Sequence, residues 1–145
     1  MKSVTPHDAG LAIAQLMPRV IQGIQLEFFV RRGVTQTQFL VLLALHGYGQ
    51  CTMGVLAKNM HVRMPTATGV VSRLVRAGYI RRQAKPEDRR QVLVSLTPKG
   101  QAFIHAFQGV VRHRWEEVLR SLRPPELATF HHVITRLHSE LQPQP

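Results

Sequence analysis

Residues 65–82 read PTATGVVSRLVRAGYIRR, and residues 85–100 read KPEDRRQVLVSLTPKG. In the first stretch Ala67, Val70, Val71 and Leu74 recur three and four apart, so a helix opening near Pro65 gathers them on one side. Proline suits that first position because the N–H it lacks would have no partner there. Gly69, Ser72, Arg73 and Arg76 then point the other way, with Thr66 and Thr68 at the margins. One face packs and the other is offered to a partner. Gly78 closes the helix as a left-handed cap. Tyr79 to Ala84 and Gln91 to Leu96 are short, partly β-branched runs, the second placing Val92, Val94 and Leu96 on one face. Pro86 and Asp88 supply turn chemistry between them, so an antiparallel hairpin is expected with Lys85, Arg89 and Arg90 at its tip.

Upstream of these stretches Thr52 caps a short helix carrying Leu56, Ala57 and Met60, and His61, Val62 and Arg63 make the turn into the helix at Pro65. Before it, Thr35 caps a helix through Phe39, Leu42, Leu43 and Leu45, which Gly47-Tyr48-Gly49 closes. That helix is apolar nearly all round and is expected to be buried. From about Pro6 to Val30, Leu11, Ala14, Met17, Ile21, Ile24 and Phe28 mark an amphipathic first helix ended by Gly33. Pro18 predicts a kink or a break near Met17. On the other flank Thr97 and Pro98 start a long helix with Phe103, Phe107, Val110, Val111, Val118 and Leu119. Pro124 and Pro125 then start a last one with Leu127, Phe130, Ile134, Leu137 and Leu141 on a stripe.

The 145 residues suffice for one domain, or for a small reading module with an assembly region, and the net charge of +11 points to a polyanionic partner. No run approaches the roughly 18 apolar residues of a membrane span and no signal segment opens the chain, so a soluble cytoplasmic protein is expected. The single cysteine, Cys51, agrees with a reducing compartment. A hydrophobic share of 44% argues against a disordered basic tail. Catalysis is not expected: the eight acids are scattered, and no phosphate loop, nucleophile elbow or metal-ligand cluster is present. No cofactor is expected either.

Two short helices joined by a tight turn and followed by a basic hairpin make a mainly α (α+β) winged helix-turn-helix with a two-stranded β-wing. Thr66, Thr68 and Ser72 offer hydroxyls to base edges or phosphates, and Arg63, Arg73 and Arg76 offer charge to the backbone. Residues 34–97 form this reading unit, and residues 1–33 and 98–145 supply a helical dimerisation region whose stripes exceed what one small unit can cover. In these stretches, in the D-x-R of the wing (Asp88, Arg89, Arg90) and in the L-T-x-x-G that follows (Leu96 to Gly100), the chain resembles the MarR family of transcriptional regulators. The resemblance covers essentially the whole chain. It implies a homodimer on a palindromic double-stranded operator, acting as a repressor. Arg90 would enter the minor groove, oriented by Asp88. It also implies release by a small phenolic or anionic effector, for which Phe28, Phe29 and Phe39 would wall a pocket and Arg31 and Arg32 flank its mouth. Gly69 departs from the larger polar side chain many relatives carry there. Three other readings stay open: a sequence-neutral DNA-packaging protein, a zinc sensor using some of the eight histidines, and a redox sensor using Cys51.

Overall fold

The computed structural model describes residues 3–22 and 27–141. In chain order it contains α1 (Pro6–Gln22), α2 (Glu27–Val30), α3 (Gln36–Tyr48), β1 (Cys51–Thr52), α4 (Met53–Asn59), α5 (Met64–Arg76), β2 (Ile80–Lys85), β3 (Asp88–Leu96), α6 (Pro98–Leu119) and α7 (Pro124–Glu140). The chain divides into two compact units, Glu27–Gln108 and a pairing of Met1–Leu26 with Gly109–Pro145.

The unit Glu27–Gln108 is built around side chains with almost no exposure: Val41, Leu42, Leu45, Leu56, Ala67, Val71, Leu74, Ile80, Val94 and Ile104. Two of its helices, α3 and α4, start where the sequence offers side-chain acceptors for orphan N–H groups. Thr35 Oγ1 accepts from Gln38 N at 3.3 Å while Gln38 Oε1 accepts from Thr35 N at 2.8 Å, a reciprocal capping box. Thr52 Oγ1 accepts from Val55 N in the same way. At the end of α5 Gly78 adopts φ +80°, and Gly78 N and Tyr79 N donate to the carbonyls of Val75 and Leu74. This is a Schellman closure, and it aims the chain directly into β2.

The expected hairpin is present, and a third strand joins it. The sheet order is β1-β3-β2, all antiparallel, with Cys51 opposite Val94 and Thr52 opposite Leu93. The hairpin strands run further toward the tip than their β-branched runs indicate. Lys85 pairs with Asp88 across a register shift at Ala84/Lys85, leaving Pro86 and Glu87 as the turn.

Two helix expectations need correction. α3 is not buried all round: Leu40 and Leu43 are 55% and 42% exposed, while Val41, Leu42 and Leu45 are buried. Of the kink or break expected at Pro18, the break does not occur, and α1 continues through it to Gln22. The carbonyl four residues before, on Ala14, belongs to an exposed residue, so water can take the bond that proline withholds. Within the described residues the expected helix to Val30 is represented by α1 and α2, and Ile24 lies outside them.

In the other unit, Asp8 Oδ2 accepts from Thr5 N at 2.9 Å, capping α1. Glu126 caps α7 likewise, accepting from Arg123 N at 2.8 Å and from its guanidinium at 2.6 Å; that guanidinium holds the Glu126 carboxyl below the usual range. Arg114 of α6 bonds Glu117 at 2.9 Å and reaches the Arg19 carbonyl of α1 at 3.5 Å, and Trp115 lies near Phe130. No α7 residue is buried. Leu11, Ile13 and Ile21 of α1 and Leu127, Val133, Ile134 and Leu137 of α7 are all exposed.

Candidate nucleic-acid interface

Helix α5 divides as its spacing requires. Ala67, Val70, Val71 and Leu74 are buried, whereas Arg63, Thr66, Thr68, Arg73 and Arg76 are exposed. Arg63 is the N-cap residue but forms no side-chain cap bond, and the first turn carries no acid, so the positive helix end is left open to anions. Arg73 and Arg76 sit in the last turn, where the carbonyl ends favour cations. A Cβ built on Gly69 would meet nothing within 4 Å, so packing in this chain does not require a glycine there.

At the wing, Arg89 and Arg90 are exposed and Lys85 and Asp88 are half-buried. Asp88 does its work on the backbone. Its Oδ1 accepts from Arg90 N at 3.1 Å and its Oδ2 from Gln91 Nε2 at 3.2 Å, which fixes the chain from which the Arg90 guanidinium projects.

One residue of this surface escaped the sequence reading. Arg82 of β2 sends Nη2 to Ser72 Oγ at 3.0 Å and to the Thr68 carbonyl at 3.3 Å, tying the strand to α5. The signal was there in the strand period, since Arg82 follows buried Ile80 by two and so shares its face. Thr68 and Arg90 line one cleft of about 510 Å³ together with Arg82, Met64, Thr52 and Val92.

The corner that sets the wing against α6 explains L-T-x-x-G. Thr97 Oγ1 accepts from Gly100 N at 3.2 Å and donates to the Gly78 carbonyl at 2.5 Å, while Thr97 N donates to Tyr79 O at 3.0 Å. Lys99 Nζ donates to the Ala77 carbonyl at 2.7 Å and lies over the Tyr79 ring. Gly100 itself abuts the Tyr79 backbone.

Phe29 packs on both Phe28 and Phe39, and the three rings pack on Phe107, the tightest pair being Phe39 and Phe107 at 4.5 Å between ring centres, while Phe28 and Phe39 also meet Phe103. Arg32 stacks on Phe28 at 4.0 Å, and Arg31 is exposed. Cys51 is buried, and burial pushes its thiol up, away from the reactive thiolate. His46 and His105 stand 6.3 Å apart, but among the described residues no group of three or more His, Cys, Asp or Glu could hold a metal. Nor, among them, is any helix long and apolar enough to cross a membrane.

A helix with a buried face and a basic, hydroxyl-bearing free face, followed by a wing with an arginine tip, defines a winged helix-turn-helix DNA-binding protein. The comparisons agree. The sequence pattern of the MarR family matches residues 34–92. The multiple antibiotic resistance protein MarR of Salmonella typhimurium is 34% identical over 107 residues, which is 72% of this chain and 73% of that protein. The transcriptional repressor NicR of Pseudomonas putida is 27% identical over 137 residues, 92% of this chain and 86% of the relative. The crystal structure of a cysteine-to-serine mutant of Escherichia coli MarR complexed with operator DNA superposes with a TM-score of 0.57 at 25% identity, covering 92% and 99% of the two chains. The chain belongs to the MarR family of DNA-binding transcriptional regulators, and it is not an enzyme.

Proposed function

We propose that this regulator is a cytoplasmic repressor that binds a palindromic operator as a homodimer, with α5 in the major groove and the β2–β3 wing at the adjacent minor groove. The observation that carries it is the shared cleft: Thr68 of the reading helix and Arg90 of the wing face one surface. A duplex laid on that surface would meet both. The repressor NicR and the operator-bound MarR structure support the reading among relatives.

In this reading residues 34–97 read DNA and residues 1–33 and 98–145 assemble the dimer. Arg63, Thr66, Thr68, Ser72, Arg73, Arg76, Lys85, Asp88, Arg89 and Arg90 meet the duplex. Two of these roles separate by chemistry: Thr68 and Ser72 act on base preference, whereas Arg73 and Arg76 add affinity for any sequence. The test is selection of bound sites from random DNA with the purified protein. An inverted repeat whose half-sites lie about one helical turn apart is expected. Recovery of unrelated sequences would contradict the proposal. A phenolic or anionic effector belongs to the reading through family resemblance. It would act at the aromatic cluster of Phe28, Phe29 and Phe39, where Arg32 already stacks on a ring.

The wing carries its own prediction. Arg90→Ala should weaken operator binding by about 1–3 kcal/mol and flatten the salt dependence, leaving the fold intact because the side chain is exposed. Asp88→Ala should act through Arg90, since its bond is to the Arg90 backbone. Operator titrations of the single and double variants therefore should not add, and strict additivity would remove Asp88's orienting role.

A further inference from the structure

Ser72 is the one hydroxyl of α5's reading side that already has a partner in the free protein. Its Oγ accepts from Arg82 Nη2 at 3.0 Å. Hydroxyls inside helices commonly turn their hydrogen back to the carbonyl four residues earlier. Thr129 and Thr135 of α7 do so, at 2.9 Å and 2.8 Å. For Ser72 that carbonyl belongs to Thr68. It already takes the helix's own N–H bond and the second bond from Arg82, which uses both of its lone pairs. Among the described residues no bond from the Ser72 hydroxyl to Thr68 is formed. The oxygen is thus held by a cation and its hydrogen has no internal acceptor.

We infer that Arg82 is a specificity-positioning residue, which occupies one lone pair of Ser72 Oγ and so leaves its hydroxyl hydrogen to read a hydrogen-bond acceptor on a major-groove base edge. The inference rests on the proposed operator reading. Its chemistry is specific. A hydroxyl at that point donates to purine N7, guanine O6 or thymine O4, and favours these over the amino group of cytosine. The neighbouring Gly69 reinforces it. Gly69 lies one turn earlier on the same side, and helical side chains lean toward the N-terminus, so a side chain at Gly69 would lie under Ser72. A Cβ there meets nothing within 4 Å, so the approach to Ser72 is open.

The experiment measures affinity of the full-length protein for its selected operator and for a panel in which each base pair is changed. The panel also replaces each purine in turn by its 7-deaza analogue, which lacks the N7 acceptor. Wild type should lose about tenfold for an acceptor-removing change at one position per half-site. Ser72→Ala should be indifferent to that change and keep its other preferences. Arg82→Gln should blunt the same position alone, and Arg82→Lys, which keeps a charged donor, should restore part of it. Two results would overturn the inference: Ser72→Ala retaining every preference, or Arg82→Gln weakening all sequences equally with a shallower salt slope, as a phosphate contact would. A wild-type protein with no preference at any position would instead remove the operator reading itself.

Discussion

Gly100→Ala should abolish the cooperative fold of the reading unit or cost it about 3 kcal/mol or more. A Cβ at that position would fall inside the contact radius of the Tyr79 carbonyl oxygen and only 3.1 Å from Leu96 Cδ2. The first of these is backbone and cannot rotate away. Tyr79 O also accepts the Thr97 N–H, so moving it breaks the corner between α5, the sheet and α6. Elsewhere in a helix the same substitution normally stabilises by up to about 1 kcal/mol, because glycine loses more backbone entropy on folding. Gly69 provides the control, since its Cβ would enter open space. Thermal or denaturant unfolding should therefore give opposite signs, with Gly69→Ala raising stability and Gly100→Ala lowering it. Equal small effects would mean that the L-T-x-x-G corner does not constrain the fold.

The second large effect concerns assembly. Ile134 and Leu137 on α7 are 47% and 39% exposed within one chain, so placing aspartate at both should leave the protomer's packing almost untouched. If the α1 and α7 faces are covered by a second copy, the double variant must bury two carboxylates at that interface. It should then sediment near 16.4 kDa, half the mass proposed for wild type. Operator affinity should fall by about 100-fold or more, because a dimer engages its second half-site at high effective concentration. Retained operator binding by a stable monomer would contradict the dimeric reading.

The helix that binds DNA in this reading and the hairpin beside it were legible because their periods differ and because Pro65 marks the start of the helix and Gly78 its end. Ala67, Val70, Val71 and Leu74 are buried as their spacing requires, and Gly78 adopts its left-handed turn. The full apolar circumference of α3 was misleading. Hydrophobicity says that a side chain would gain from burial, not what covers it, and Leu40 and Leu43 remain about half exposed. Strand β1 spans only Cys51–Thr52, too short for any period, and it exists because β3 offers an edge. Pro18 broke a local rule without ending α1, since the exposed side of a helix can hydrogen-bond to water. The family resemblance implied that Asp88 orients Arg90, and the bond the structure shows between them runs to the Arg90 backbone N–H rather than to its guanidinium. Arg82 was hidden among the many cations of a basic chain. It is exposed like them, and only its position two residues after buried Ile80 placed it on the face turned toward α5.

Sequence-specific DNA binding is measured most directly by the ratio of affinities for the selected operator and for shuffled DNA of equal length at physiological salt. A net charge of +11 would by itself hold any duplex, so affinity alone decides nothing. A ratio of about 1,000 or more is the expected result for a regulator that reads bases. A ratio near one would make the protein a sequence-neutral DNA coat and contradict the account.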